Sequence, residues 1–150
     1  MRRFLPFGVL ALAMLGLTVV PAASAAPKPK KVNVKLFEYD IRRSPAFVAE
    51  GKVTFKVKNI GTAKHEFVVV RLESPGATLP TKADGSVDED AIDESNQVGE
   101  LEDINKKQEK SLTKKLDAGE YEIFCNIVEE VDGTTVSHHA RGMHASLSAG

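Results

Sequence analysis

Hydrophobic and polar residues alternate along much of the chain after residue 31. The clearest segments are KVNVKLFEYD at residues 31–40 and KVTFKVKN at residues 52–59, where apolar side chains occupy every second position. A period of two residues is typical of a strand with one buried face. EFVVVRL, at residues 66–72, is nearly continuous in apolar residues, so we predict a central strand there.

The last third of the chain continues this pattern. KSLTKKL at residues 110–116 and EYEIFCN at residues 120–126 flank the turn signal Asp117–Gly119, and we predict that they form a hairpin. MHASLSAG, at residues 143–150, is the predicted final strand. The whole pattern predicts one all-β domain over residues 32–150, built as a β-sandwich of about seven strands.

Residues 78–105 lose the alternation and turn acidic. Ser86 and Glu89 have the spacing of a capping box, which predicts a short helix within VDEDAIDESN, residues 87–96. We interpret this stretch as a surface excursion linking two parts of the sandwich. The alternative interpretation is a docking patch for a basic partner.

The N-terminus has the layout of a secretory signal peptide. Arg2 and Arg3 precede an uncharged apolar run at residues 4–20, and Ala23-Ser24-Ala25 has the small-residue pattern of a cleavage site. We predict a signal peptide at residues 1–25, a flexible spacer at residues 26–31, and an exported protein that is periplasmic or extracellular. Contact with a membrane is expected only through the signal peptide before cleavage; a retained anchor is the alternative.

Charge and cysteine content narrow the classes of function. The chain has 150 residues, 20 basic against 21 acidic, and a formal net charge of −1. The basic residues are scattered, so we expect no nucleic-acid partner. Cys125 is the only cysteine and cannot form an internal disulfide, so in an exported protein it is a packed bystander, an intermolecular link or a functional thiol. We expect a monomer.

Metal-ligating side chains cluster around the ends of the predicted strands. They are His65, Cys125, His138 or its neighbour His139, and Met143. Each alone is an ordinary core or strand-end residue. Together, two imidazoles, a thiolate and a weak thioether make the ligand set of a type 1 copper site. Thiolate and thioether favour Cu(I), whereas imidazole suits both oxidation states, so the set predicts one copper ion per chain.

Twelve residues separate Cys125 from His138, and they include the hairpin turn signal Asp132-Gly133. A hairpin centred on this turn pairs Val131 with Thr134, Glu129 with Val136, Ile127 with His138 and Cys125 with Ala140. In that register Cys125 and His138 share a face, whereas His139 lies on the other face. The register therefore favours His138 as the ligand and leaves His139 and His144 exposed.

Three stretches resemble the cupredoxin family, which includes plastocyanin, azurin and sulfocyanin-like blue copper proteins. They are VTFKVKNIGTAKHEFVV from residue 53, LDAGEYEIFCN from residue 116 and SHHARGM from residue 137. The resemblance implies a Greek-key β-sandwich, with His65, Cys125, His138 and Met143 as copper ligands. The resemblance is interrupted between Cys125 and His138, where this chain has a β-hairpin insertion in the ligand loop. Lengthening this loop from about three to twelve residues costs roughly 1.2 kcal/mol of closure entropy, against the order of 10 kcal/mol from binding a metal.

The resemblance implies an exported one-electron carrier with an unidentified redox protein as donor or acceptor. We expect that partner to dock near an exposed histidine edge. Two other functions stay open: copper storage or delivery, and a metal-free interaction module in which Cys125 is merely packed. A Cys–His nucleophilic enzyme lacks an orienting third group and an oxyanion signature, so we expect no enzymatic activity.

Overall fold

The computed structural model describes residues 30–150, which form a sandwich of two β-sheets and a separate hairpin. The strands are β1 (Lys30–Phe37), β2 (Asp40–Ser44), β3 (Phe47–Val48), β4 (Gly51–Asn59), β5 (His65–Arg71), β6 (Gln97–Ile104), β7 (Glu109–Leu116), β8 (Gly119–Phe124), β9 (Val128–Val131), β10 (Thr134–Ser137) and β11 (His144–Ala149). The first sheet has the order β2-β1-β4-β7 and the second β3-β11-β8-β5-β6, while β9 and β10 pair with each other. The predicted all-β sandwich is confirmed, with more strands than the about seven expected.

Alternating apolar side chains from both sheets fill the space between them. Val32, Val34 and Leu36 on β1 are fully or almost fully buried, as their period of two predicts. The rings of Phe55 on β4 and Phe67 on β5 lie 5.3 Å apart across the two sheets. Strand β5 is bonded to β6 and β8 and is buried along most of its length, which confirms that it is a central strand.

The predicted hairpin around Asp117–Gly119 is wrong. Strand β7 pairs with β4 in the first sheet, whereas β8 pairs with β11 and β5 in the second. The chain therefore crosses from one sheet to the other at this corner. The Tyr121 hydroxyl donates a hydrogen bond to the carbonyl of Asp117 over 2.7 Å, which fixes the corner from the side of β8.

The acidic stretch lacks the predicted capping box, and the short helix predicted there is present only as two 3₁₀ turns. Residues 97–104 form β6, which pairs with β5, and the preceding part contains only two 3₁₀ turns, Glu89–Ala91 and Glu94–Asn96. Ser86 instead bonds the Asp84 carboxylate. Short Asp–Ser turns of this kind compete locally with helix formation.

Residues 78–96, here called the cover segment, pack on the outer face of the second sheet. Val68, Val70, Val87 and Phe124 form a second buried cluster, with Leu79 and Ile92 packed against it. This cluster explains why β5 is apolar on both faces. The cover segment is therefore anchored by a small hydrophobic core of its own.

Strand β1 begins two residues before the predicted domain boundary. Lys30 and Lys31 pair in parallel with Val53 and Thr54 of β4, so the backbone of these two residues belongs to the sheet and not to the spacer. The predicted signal peptide lies outside the described residues. Within residues 30–150, no helix is long and apolar enough to cross a membrane.

The second cluster predicts the effect of a cavity in the cover segment. Val87 is fully buried, so Val87→Ala should lower the free energy of unfolding by about 2 kcal/mol through lost burial and the cavity left behind. Urea denaturation of the metal-free protein measures this loss. Val131→Ala, at an exposed position, is the matched control and should change stability by under about 0.5 kcal/mol; an equal loss in both variants would show that the cover segment is not anchored.

Candidate metal centre

His65 stands at the start of β5, where a short loop leads into the sandwich. The preceding loop is held by Asn59, whose buried side-chain amide donates to the carbonyls of Ala63 and Ile104, both over 2.8 Å. The loop backbone and β6 are thereby joined beside His65, whose own backbone pairs with Ile104. His65 is fully buried, so its ring is fixed by the surrounding structure.

Glu38 holds the same loop from the outside. Its carboxylate accepts hydrogen bonds from the backbone amides of Thr62 and Ala63 and from the Thr62 hydroxyl. These backbone bonds lower the pKa of Glu38 from its ordinary 4.5 to about 2. A Cβ atom at Gly61 would lie 2.5 Å from Oε1 of Glu38, so a larger residue there would displace this carboxylate.

Cys125 follows β8 directly and turns its sulfur into the core. Its backbone amide donates to the carbonyl of Met143 over 3.1 Å, and its Sγ accepts a hydrogen bond from the amide of Glu66 over 3.4 Å. Burial raises the pKa of the Cys125 thiol to about 11. The metal-free sulfur is therefore protonated at neutral pH, and that proton must leave when a metal ion binds.

The insertion hairpin, β9 and β10 with the turn between them, returns the chain to Cys125. Val131 pairs with Thr134 and Glu129 with Val136, as predicted, and the His138 amide donates to the Ile127 carbonyl over 2.9 Å. The predicted register is wrong beyond this point. The chain turns after His138, so Cys125 bonds Met143 and not Ala140.

The turn after His138 places Met143 beside the cysteine. The Met143 amide donates to the carbonyl of His138 over 3.0 Å, which closes the loop between the two residues. Met143 is fully buried in the same core cluster as Cys125. Its backbone is thus tied to both Cys125 and His138.

Three ligand atoms meet at the end of the sandwich. Nδ1 of His65 lies 3.3 Å from Nδ1 of His138, and Sγ of Cys125 lies 3.3 Å from Nδ1 of His138 and 3.9 Å from Nδ1 of His65. Ligand bonds of about 2.0 Å to nitrogen and 2.3 Å to sulfur place such atoms roughly 3.3 to 3.7 Å apart around one ion. The spacing therefore matches three ligands of a single metal ion.

The insertion hairpin closes the site from solvent. His138 is only 1% exposed, and its Nε2 lies 3.0 Å from a carboxylate oxygen of Glu129 on β9. The expected exposed histidine edge is therefore wrong, because His65 is also fully buried. Nε2 of His65 has no hydrogen-bond partner among residues 30–150, so of these two buried imidazoles only that of His138 is oriented by a carboxylate.

Solved structures share this architecture. Reduced auracyanin from Roseiflexus castenholzii superposes with a TM-score of 0.60 at 16% identity, covering 83% of this chain and 99% of that chain. Auracyanin A from Chloroflexus aurantiacus, described as a blue copper protein, gives 0.52 at 19% identity over 82% of this chain and 100% of its own. Rusticyanin from Thiobacillus ferrooxidans gives 0.50 at 17% identity, over 82% of this chain and 79% of that chain.

This is the cupredoxin fold. The resemblance seen in the three sequence stretches is thus confirmed at the level of architecture. No family model matches the chain, and no curated protein matches it in sequence.

The residues at the end of this cupredoxin fold suit a copper ion chemically. Burial and the neighbouring His138 lower the pKa of His65, so its ring is neutral at neutral pH and keeps a nitrogen lone pair. Two imidazoles and a thiol converge in a buried space, where polar groups are costly unless they find partners. One soft sulfur and two imidazole nitrogens are a donor set that copper prefers.

Sequence reasoning missed several residues that support this site. Glu129 could have been predicted from the sequence, because it lies two residues after Ile127 and four after Cys125 and so points to the same face of the strand. Asn126 was not, because its partners come from the cover segment: it donates to Val87 and Glu89 and accepts from the Val87 amide. These side-chain bonds tie the cover segment to the cysteine strand, and the backbone amide of Asn126 also donates to the Glu66 carboxylate on β5.

The two remaining histidines of the region differ from each other. His144 is exposed, as predicted, whereas His139 is not: its side chain is 14% exposed and its Nε2 lies 3.2 Å from Glu122. The prediction that His139 is exposed is therefore wrong. Its ring packs edge-on against Phe124, with centroids 5.6 Å apart.

The loop bonds of Glu38 predict a pH-dependent contribution to stability. The lowered pKa means that this contribution is present above pH 4.5 and is lost as the pH falls toward 2. Glu38→Gln should therefore lower the free energy of unfolding near neutral pH, and its difference from the unmodified protein should shrink over that interval. Urea unfolding at a series of pH values measures both, with Glu109→Gln, at an exposed position on β7, as the control; a difference independent of pH would contradict the assignment.

Proposed function

We propose that the protein binds one copper ion through His65, Cys125, His138 and Met143 and carries one electron at a time. The observation that carries this proposal is the convergence of the Cys125 sulfur and the two Nδ1 atoms, all buried and 3.3 to 3.9 Å apart. Met143 would supply a fourth, weak thioether donor, because its backbone bonds to Cys125 and His138 hold it beside both residues. The blue copper description of auracyanin A supports the same assignment.

The surroundings of the four residues favour electron transfer. Copper supplies a centre that gains and loses one electron. The chain holds the donors before the ion arrives: Asn59 fixes the loop before His65, and the Cys125–Met143 backbone bond fixes the other side. A site that cannot relax between two ligand arrangements adds little rearrangement to each electron step. Copper delivery would instead favour an accessible and labile site.

Glu129 orients the second imidazole. Its carboxylate accepts a hydrogen bond from Nε2 of His138 over 3.0 Å, which leaves Nδ1 free to bind the ion. A ring held in this way is a better electron donor to a metal. The insertion hairpin therefore contributes to the electronic properties of the site as well as to its cover.

The site also fits an exported protein. A single cysteine outside the cytoplasm is at risk of oxidation when it is free and exposed, and Cys125 is fully buried. We therefore propose that residues 1–25 are removed as a signal peptide and that the remaining chain works in a periplasm or outside the cell.

Copper titration tests the function. Protein purified after expression of the full-length chain should develop an intense blue thiolate-to-copper band that saturates at one Cu(II), with the narrow paramagnetic resonance splitting of a type 1 site. Cys125→Ser should lose the band entirely. His138→Gln should lose or strongly weaken it, while its matched control His139→Gln should keep it.

The alternatives give different outcomes in the same titration. Colourless protein, equal in the unmodified chain and in Cys125→Ser, would favour the interaction module. A blue protein that loses its copper to a chelator within seconds would favour storage or delivery. A band lost in His139→Gln and kept in His138→Gln would reverse the assignment of the second histidine.

The carboxylate behind His138 predicts a shift in reduction potential. Glu129→Gln removes a negative charge bonded to a ligand ring, which disfavours Cu(II) relative to Cu(I), so the potential should rise while the blue band is retained. Redox titration followed at the blue band measures the shift. Glu130→Gln is the matched control, since Glu130 is exposed and bonds Thr135; equal shifts in the two variants would mean that the general charge of the insertion hairpin is responsible.

A further inference from the structure

A second group of metal-ligating side chains lies on the opposite face of the second sheet. Among residues 30–150, two groups of three such residues place one ligand atom each within 4.8 Å of the others: the copper centre proposed above, and Glu122 with His139 and His144. Glu122 is on β8, His144 opens β11, and His139 lies in the turn between β10 and β11. No part of the proposed electron carrier uses this second group.

The distances within the group suit one metal ion. A single carboxylate oxygen of Glu122 lies 3.2 Å from Nε2 of His139 and 3.5 Å from Nδ1 of His144. Ligands bound at about 2.0 Å to a tetrahedral ion lie roughly 3.3 Å from each other. Only a small adjustment of these side chains would therefore admit an ion between them.

The supporting structure is rigid and the group is partly open. Strand β8 pairs with β11 so that His144 stands opposite Phe124 and Glu122 opposite Ser146, and the His139 ring is packed against Phe124. Glu122 and His144 also line an open cleft of about 570 Å³. An ion held here keeps access to solvent, so water or an external ligand can complete its coordination.

We propose that Glu122, His139 and His144 form a second metal site, which binds a divalent transition-metal ion of the zinc type. Two imidazoles and one carboxylate are borderline and hard donors that suit divalent zinc and its neighbours. The group has no sulfur, so it does not share the preference of the first site for Cu(I). The two sites are distinct in chemistry as well as in position.

The sites are nevertheless joined along the backbone. His138 and His139 are consecutive, as are Met143 and His144, and in each pair the first residue belongs to the buried site and the second to the outer one. Occupation of the outer site would brace both ends of the turn that positions His138 and Met143. This link follows from chain geometry alone and does not depend on the identity of the inner metal.

Zinc titration with detection at the imidazole rings tests the proposal. Zinc sulfate is added to protein purified after expression of the full-length chain, and the ring proton–nitrogen correlations are assigned with His139→Gln and His144→Gln. The signals of His139 and His144 should shift together and saturate with one equivalent bound at this site. Glu122→Gln should weaken zinc binding by at least roughly tenfold, because changing even a residue that only supports a metal ligand has an effect of that size.

Two controls separate this site from the copper centre. Glu120→Gln removes a carboxylate that lines the same cleft and bonds Ser148, and it should leave zinc binding unchanged. Cys125→Ser should retain the zinc shifts of His139 and His144. A chain that forms no blue copper site but still shows these shifts would overturn the proposed function and keep this one.

Two results would overturn the second site. If zinc leaves the signals of His139 and His144 unshifted, whether or not those of His65 and His138 move, the trio is merely hydrogen-bonded. Equal affinities in Glu122→Gln, Glu120→Gln and the unmodified protein would likewise remove Glu122 from any metal site.

Discussion

The burial of two imidazoles and a thiol at one end of the sandwich is the constraint that organises this protein. Polar groups so deep in a core are costly unless they are bonded, yet Nε2 of His65 has no hydrogen-bond partner among the described residues. The surrounding structure supplies compensation through backbone bonds: the Glu66 amide reaches the Cys125 sulfur, and Met143 is bonded on both sides. The convergence of the three donors is thus maintained by the backbone.

The insertion hairpin and the cover segment both hold the metal-ligand region in place, from two sides. The insertion hairpin lies over His138 and holds its ring through Glu129. The cover segment packs on the outer face of the second sheet and reaches the cysteine strand through Asn126. Both are additions to the sandwich, and each anchors one flank of the region that carries Cys125 and His138.

The sequence predicted what depends on local periodicity and missed what depends on contacts between distant segments. The buried face of β1, the central position of β5 and the first pairs of the insertion hairpin follow from alternation and from Asp132-Gly133. The corner at Asp117 and the second core under the cover segment do not follow from local alternation. The corner depends on which sheet each flanking strand joins, and the second core depends on contacts between the cover segment and the second sheet. At the site, residue chemistry selected the four candidates, but the burial of His138 and His139 depends on partners supplied by β9 and β8.

The length of the insertion hairpin can also change without moving His138. Among the described strands, its two strands pair only with each other, and its base is closed by the bond between His138 and Ile127. Adding or removing one cross-strand pair changes each strand by a single residue and leaves that base where it is. Evolution or design can therefore lengthen or shorten the hairpin at its tip, and so reshape the outer surface, without changing the face on which His138 stands.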